Sequence, residues 1–474
     1  MLDKEEYGRR AANADRVAVF KEFLADRETP VAALSRLGEE EEAFLLESVS
    51  GGESRGRYSY LGIEPTERIE GADALERLKG RFAAMRYAAA PELPSFQGGA
   101  VGYVAYDAIN LFEPRVRPGS EKGTPPMAFL VCDKFLVFDN VRDTVTIAVI
   151  ADTSLPDAYG EAMREIERIY CKMLSAESIA RLMGSGERKA AEGKEDCFCG
   201  FEPEMSREEF CERVAKCKAA IKAGEVIQIV PSQKFTARSA VSGLALYRAL
   251  RTINPSPYNF FMRLGGRTLI GSSPEELVKL CGRTASTAPI AGTRPRGGTP
   301  QRDAELEREL KTDAKENAEH VMLVDLGRND LSRVCETGSV RVERFAHVER
   351  YSHVMHLVSN VKGTLAKDRD AIDLLKAAFP AGTLTGAPKI RAMELIAEYE
   401  KSPRGIYGGA AGYFSLTGDM DFAIVIRTLV KEGDTVTMRA GAGIVADSDP
   451  MREYQETVNK SKAVFEAVKF AETL

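Results

Sequence analysis

The sequence predicts a mixed α/β protein, built either as two lobes or as one large layered body. Three observations lead there. The chain has 474 residues, 44% of them hydrophobic, whereas single cores stop growing near roughly 250–300 residues. In the first half, runs rich in β-forming residues alternate with stretches of helical period. Near the middle, Gly184-Ser-Gly-Glu-Arg-Lys-Ala-Ala-Glu-Gly-Lys-Glu-Asp196 drops all periodicity and becomes charged and glycine-rich, as a linker does. The expected organisation is an N-terminal lobe over 1–183, a linker over 184–203 and a C-terminal domain over 204–474.

Taken in order, Ala11 to Leu24 has the spacing of an amphipathic helix, and Ala43 to Ser48 reads as a strand. Ala100–Tyr106 and Ala128–Phe138 are dense in β-formers and read as buried strands. Ser154 to Met183 is helical in period. Beyond the linker, Ser206 and Glu209 form a capping box ahead of the apolar face Phe210, Val214, Cys217 and Ile221, and Gly224 stops that helix. Glu225–Pro231 follows as a strand with Gln228 its single polar residue in mid-run. Such a glutamine is a partnered core group, or points to solvent, or aims into a site. A further helix is expected from about Arg302 to Asp325.

Composition excludes several classes of function. A net charge of −6 leaves no basic excess for neutralising nucleic-acid phosphates. No apolar run approaches the roughly 18 residues of a membrane span, and the charged start Met1-Leu-Asp-Lys-Glu-Glu6 is unlike a signal peptide. Eight cysteines are sparse for a disulfide framework, and Cys197 and Cys199 lack C-x-x-C spacing. Reduced thiols in a cytoplasmic protein are the expectation. Tryptophan is absent altogether.

Several constellations carry chemistry. Pro289-Ile-Ala-Gly-Thr-Arg-Pro-Arg-Gly-Gly-Thr299 crowds amides, hydroxyls and guanidiniums onto one loop, which suits a small anion or a solvated turn. Glu316 with Glu319, and Glu453 with Glu456, are spaced to share a helix face. Singly they read as solvated faces; brought together across a cleft, they would require a cation, and oxygen-only ligands favour Mg2+. Arg427 closes an apolar strand and needs an anionic partner, internal or bound. Gly441-Ala-Gly443 lets backbone amides approach a ligand, and Lys460 shares a helix face with Glu456. Of the four histidines, His356 sits in an apolar run, either as a satisfied core residue or as an acid/base group.

Together these pieces resemble the chorismate-utilising enzymes and, with the N-terminal half included, the anthranilate synthase component I family. The marks are Leu45-Leu-Glu-Ser48, Asn254-Pro-Ser-Pro-Tyr258, Gly271-Ser-Ser-Pro-Glu275, Pro289-Ile-Ala-Gly-Thr293 and Glu319-His-Val-Met-Leu-Val-Asp-Leu-Gly-Arg-Asn-Asp330. They continue in order through Met355-His-Leu357, Gly382-Thr-Leu-Thr-Gly-Ala-Pro-Lys389, Tyr407-Gly-Gly409, Ile424-Val-Ile-Arg427 and Gly441-Ala-Gly443.

The resemblance implies stacked, mostly antiparallel sheets flanked by helices. It implies Glu319 and Glu456 as Mg2+ ligands, with Glu316 and Glu453 supporting them. Gly292, Thr293, Tyr407, Arg427, Gly441, Ala442, Gly443 and Lys460 are the implied contacts to chorismate, Arg427 holding the enolpyruvyl carboxylate. Glu275 is implied to protonate the departing C4 hydroxyl, and His356 to serve as acid/base group in the second half-reaction. Family members that add water carry lysine where Gln228 stands, and aminodeoxychorismate synthases typically carry lysine where Ala291 stands. Both positions imply amination to anthranilate. Aminodeoxychorismate formation and a non-catalytic chorismate-binding regulator are the alternatives.

The sequence holds no G-x-C-x-G elbow for glutamine hydrolysis, and the resemblance implies a separate glutamine amidotransferase subunit as the source of ammonia. Leu45-Leu-Glu-Ser48 and Pro257-Tyr258 match the family's tryptophan pocket, and Asn259 stands beside them. Asn259 replaces a frequent methionine there, so inhibition by tryptophan is expected but its strength is open.

Overall fold

The computed structural model describes residues 1–38, 41–48, 56–175, 200–350 and 354–474. Residues 184–199 of the expected linker, with Cys197 and Cys199, lie outside them, as does His353. Among the described residues the strands form a 12-stranded sheet, a 10-stranded sheet and one two-stranded pair. Apart from Arg16–Leu24 against Tyr87–Ala88, neighbouring strands are antiparallel.

The two large sheets stack face to face. Phe44 and Phe135 of the first and Val101, Leu130 and Tyr413 of the second bury together between them. Helices cover both outer faces, Ile166, Tyr247, Leu250 and Val464 packing on the first sheet and Leu78, Val324 and Leu374 on the second. Each sheet continues from the N-terminal segment into the C-terminal one. Ala43–Glu47 pairs with Tyr258–Leu264 in the first, and Gly99–Val104 pairs with Ala410–Ser415 in the second.

Three sequence expectations are corrected. The helix expected over 11–24 is Lys4–Ala11, capped by Asp3, followed by the strand Arg16–Leu24. The valines and Phe20 pair residue for residue with Thr144–Asp152, and this long-range ladder outweighs a helical spacing of apolar residues. The apolar run 128–138 is two strands, Met127–Cys132 in one sheet and Lys134–Asp139 in the other, the chain changing sheet at Asp133. The helix expected over 302–325 breaks at Asp313 into Pro300–Thr312 and Ala314–Ser332.

Elsewhere local rules hold. The Ser206–Glu209 capping box opens Arg207–Lys222, and Gly224, at φ +80, ends it. Of the strand expected over 225–231, only Gln228–Ile229 is paired, to Gly386–Ala387. Within the expected 154–183 helix, Ala158–Met173 is helical, and residues 176–183 lie outside the described ones. No helix among the described residues is long and apolar enough to cross a membrane.

Two crossovers between the sheets bear directly on the site. Pro274 and Glu275 link Arg267–Ser273 of the first sheet to Glu276–Cys281 of the second. Val425, Ile426 and Arg427 link Met420–Ile424 of the second back to Thr428–Glu432 of the first. The two are laced together, the Ile424 amide donating to the Glu275 carbonyl at 3.1 Å and the Ser272 amide to the Arg427 carbonyl at 3.2 Å.

Candidate active site

Both acidic pairs open helices. Asp313 accepts from the amides of Lys315 and Glu316 (3.0 and 3.1 Å), so Glu316 and Glu319 fall in the first two turns of Ala314–Ser332. Asp449 accepts from the Arg452 amide at 2.9 Å and, with Pro450, opens Pro450–Ala471, whose first turns carry Glu453 and Glu456. Glu316 and Glu453, in the first turns, therefore stand near positive helix-dipole ends. All four carboxylates line one cavity of about 440 Å³.

Their partners differ. Glu316 pairs with Arg294 at 3.2 Å and Glu456 with Lys460 at 2.7 Å. Glu319 accepts from the Gln228 amide nitrogen at 3.3 Å. Gln228 thus belongs to the site and not to a core network, and its Oε1 is buried with no hydrogen-bond partner. The space it fills depends on Gly443, where a Cβ would lie 2.7 Å from Gln228 Nε2. Burial, and then the nearness of Glu456, push the Glu453 carboxyl above its usual range.

The opposite wall is a bulged strand pair. Thr293 lies opposite His356 and Ala291 opposite Leu357, so Gly292 is the extra residue, at φ +68. A side chain there would be strained, with its Cβ 2.9 Å from Leu310 Cδ1 and 3.1 Å from Glu316 Oε2. The bulge brings the Gly292 carbonyl within 3.1 Å of His356 Nδ1, and Thr293 Oγ1 lies 3.0 Å away. A carbonyl only accepts, so Nδ1 carries the proton and the lone pair sits on Nε2. Burial lowers the His356 pKa, the Gly292 carbonyl opposes that, and the Arg427 charge lowers it again. The imidazole is therefore neutral at neutral pH.

Glu275 and Arg427 reach the cavity from the two crossovers. Glu275 is pushed up to about 7, chiefly by burial, with Arg427 and Lys460 pulling the other way. The Thr383 hydroxyl, which lines the same cavity, is buried with no hydrogen-bond partner. Arg427 holds a left-handed backbone, φ +49. Burial disfavours its charge, with Glu275 the compensating influence, and among the described residues no carboxylate lies within ion-pair distance of it. A deep guanidinium without an internal ion pair is available to a bound anion.

Tyr407 is buried, its phenol pushed up to about 12 mainly by burial, and its hydroxyl lies 2.9 Å from where a Cβ on Gly441 would sit. Lys460 donates to the Gly441 carbonyl at 3.2 Å. Of the sequence-predicted catalytic, substrate and metal residues, Ala442 alone does not line the cavity. Its methyl is fully buried against Ile229 and Ile444 instead, because its amide bonds the Pro231 carbonyl and turns the side chain into that cluster. Thr383, Lys315 and Arg439 line the cavity without having been singled out. Thr383 stands inside the Gly382–Lys389 motif, and Arg439 sits in mid-strand with no distinguishing neighbour.

The remaining histidines with described positions lie elsewhere. His320 is fully buried and bonds Ser359 Oγ at 2.6 Å, and His347 pairs with Glu349. The six described cysteines are free thiols.

A second cavity, of about 670 Å³, gathers Ser48, Pro257, Tyr258 and Asn259 with Glu47, Lys279 and Asp421. Tyr258 donates to Glu276 at 3.0 Å, and Asn259 is buried with its Nδ2 donating to the Ser256 carbonyl at 2.5 Å. Glu275 and Glu276 thus face the two cavities as successive residues.

Among known proteins, residues 41–466 match the family model described as chorismate binding enzyme. Anthranilate synthase component 1 of Streptomyces coelicolor is 47% identical over 98% of this chain and 91% of its own length. The protein of the same name from Neisseria meningitidis serogroup B is 42% identical over 100% of this chain and 99% of its own. The crystal structure of anthranilate synthase component I from Streptococcus pneumoniae superposes with a TM-score of 0.76 at 34% identity, covering 94% of this chain and 99% of that one.

Proposed function

The chain belongs to the chorismate-binding enzyme family, and from that premise we propose that it is the aminating component of an anthranilate synthase. Chorismate and ammonia give anthranilate, pyruvate and water. The observation that carries this reading is one cavity in which Glu275, His356 and Arg427 meet the two acidic pairs. Full-length relatives named for this activity support it.

Arg427 binds the enolpyruvyl carboxylate, replacing the internal partner it lacks, while Tyr407, Thr293 and the backbone at Gly292, Gly441 and Gly443 orient the ring. Glu275 keeps its proton near neutrality because of burial and delivers it to the C4 hydroxyl as ammonia adds at C2. His356 Nε2 then takes the C2 proton, pyruvate departs, and the ring becomes aromatic. Gln228 supports amination over hydration, since an amide offers water no general base.

Among the described residues no three acidic, histidine or cysteine side chains are near enough to hold a metal unaided. Mg2+ often keeps waters and substrate oxygens, so Glu319 and Glu456, with the orphaned Gln228 oxygen nearby, fit a cation that is completed by its substrate. Glu316 and Glu453, which line the same cavity, would support them. When bound, the ion supplies positive charge to the ring carboxylate.

On this reading ammonia comes from a second subunit that hydrolyses glutamine; the relatives' name, component 1, supports a second component. The second cavity takes L-tryptophan as inhibitor, on the match of Ser48, Pro257 and Tyr258 to the family pocket, with Asn259 lining the same cavity. The deciding experiment incubates the purified chain with chorismate, Mg2+ and ammonium near pH 8.5. Fluorescent ortho-aminobenzoate, abolished by EDTA and reduced by millimolar tryptophan, is expected. A para-substituted amine, isochorismate or no turnover overturns the assignment, and full activity in millimolar tryptophan overturns the inhibitor site alone.

A further inference from the structure

Behind the cavity wall lies a residue that never reaches the cavity. The Arg404 side chain is 2% exposed and its partner Glu400 is 4% exposed. Arg404 Nε and Nη2 donate to both carboxylate oxygens of Glu400 at 2.9 and 2.7 Å. Its remaining donors reach outward, Nη1 to the Leu384 carbonyl at 2.8 Å and Nη2 to the Val230 carbonyl at 2.5 Å. The guanidinium also lies 4.6 Å from the Tyr106 ring and 5.8 Å from the Tyr407 ring.

These contacts join parts of the chain that are remote in sequence. Val230 and Leu384 line the cavity themselves; Leu384 adjoins Thr383, Val230 stands two residues past Gln228, and Tyr407 is the proposed substrate contact. Glu400 extends the hub by accepting from the Ser232 amide and hydroxyl at 2.7 and 3.0 Å. A planar fork with five donors can hold a carboxylate, two carbonyls and two ring faces at once, which a single ammonium cannot.

We infer that Arg404 is a positioning residue for the reaction, fixing through Tyr407, Leu384 and Val230 the wall against which the substrate rests. The inference rests on the amination of chorismate proposed above. Loss of a preorganised wall weakens substrate and transition state alike, so it reads in KM more than in kcat.

The test pairs a double variant, Glu400→Gln with Arg404→Met, with the single Arg404→Lys. The double variant removes one charge of each sign, leaving the net charge behind the wall unaltered; because Glu400 also faces Arg439 at 3.9 Å, the single Arg404→Lys, which keeps that contact, is the control. Its KM for chorismate is expected to rise about tenfold or more while kcat stays within about threefold, and Arg404→Lys should move the same way by about threefold. Thermal midpoints report folding, and if the double variant does not fold, Arg404→Lys decides. A folded variant with unaltered KM, or with a fall in kcat alone, overturns the inference. A native chain that makes no anthranilate in the parallel assay overturns the underlying reading, and the inference with it.

Discussion

Replacing Glu275 by glutamine removes a buried ionisable group without changing its shape, and its effect on stability must depend on pH. The folded-state pKa stands at about 7 against an ordinary 4.5. Below pH 4.5 the carboxyl is protonated whether the chain is folded or not, and the substitution is silent. Between 4.5 and 7 the unfolded chain releases the proton while the folded chain keeps it, so the native protein loses stability as pH rises. Above 7 the penalty is complete, about 3 kcal/mol at about 1.36 kcal/mol per unit. An unfolding entropy of ~2.1 cal/mol/K per residue over 474 residues converts this to a shift of about 3 °C. Thermal midpoints of both proteins in EDTA at pH 4.5 and 8.5 measure it. The glutamine variant should melt with the native protein at the lower pH and about 3 °C above it at the higher, while losing anthranilate formation. A variant that is less stable at pH 8.5, or a difference that does not change with pH, would refute the argument that burial holds the proton on Glu275.

Three other outcomes are expected. His356→Gln should slow anthranilate release by about 10²–10⁴-fold, the usual range for a lost acid/base group; because amination precedes its step, an aminated species still bearing the pyruvyl group should accumulate on chromatography. Glu319→Gln should raise the Mg2+ concentration for half-maximal activity by at least about tenfold with an unchanged thermal midpoint, as read by metal titration. Gly271→Ala would place a methyl 2.0 Å from Phe260 Cζ inside the first sheet and should destabilise the fold by about 1–3 kcal/mol in denaturant unfolding.

The site was more legible in the sequence than the fold that builds it. Glu275, Glu319, His356 and Arg427 stand in short ordered motifs, and the chain brings them to one cavity. The sheet order is not legible, because strands such as Ala43–Glu47 and Tyr258–Leu264 find each other across more than two hundred residues with only generic apolar patterning. Local periodicity misled at 11–24, where pairing with Thr144–Asp152 decided the outcome. It also missed the break at Asp313, although an aspartate ahead of two helix-forming residues is a cap signal. Arg404 and Arg439 were invisible because their importance lies in partners brought from elsewhere in the chain. The left-handed backbone of Arg427 has no sequence signal at all.

The two sheets each run unbroken from the N-terminal segment into the C-terminal one, at Ala43–Glu47 with Tyr258–Leu264 and at Gly99–Val104 with Ala410–Ser415. Severing the chain between these segments would therefore not release two independent proteins. Each fragment would carry two raw strand edges and half of a shared core, the template on which chains aggregate. Mixed before either precipitates, the fragments should complement one another like the torn halves of a sheet, and activity should return only in the reassembled pair.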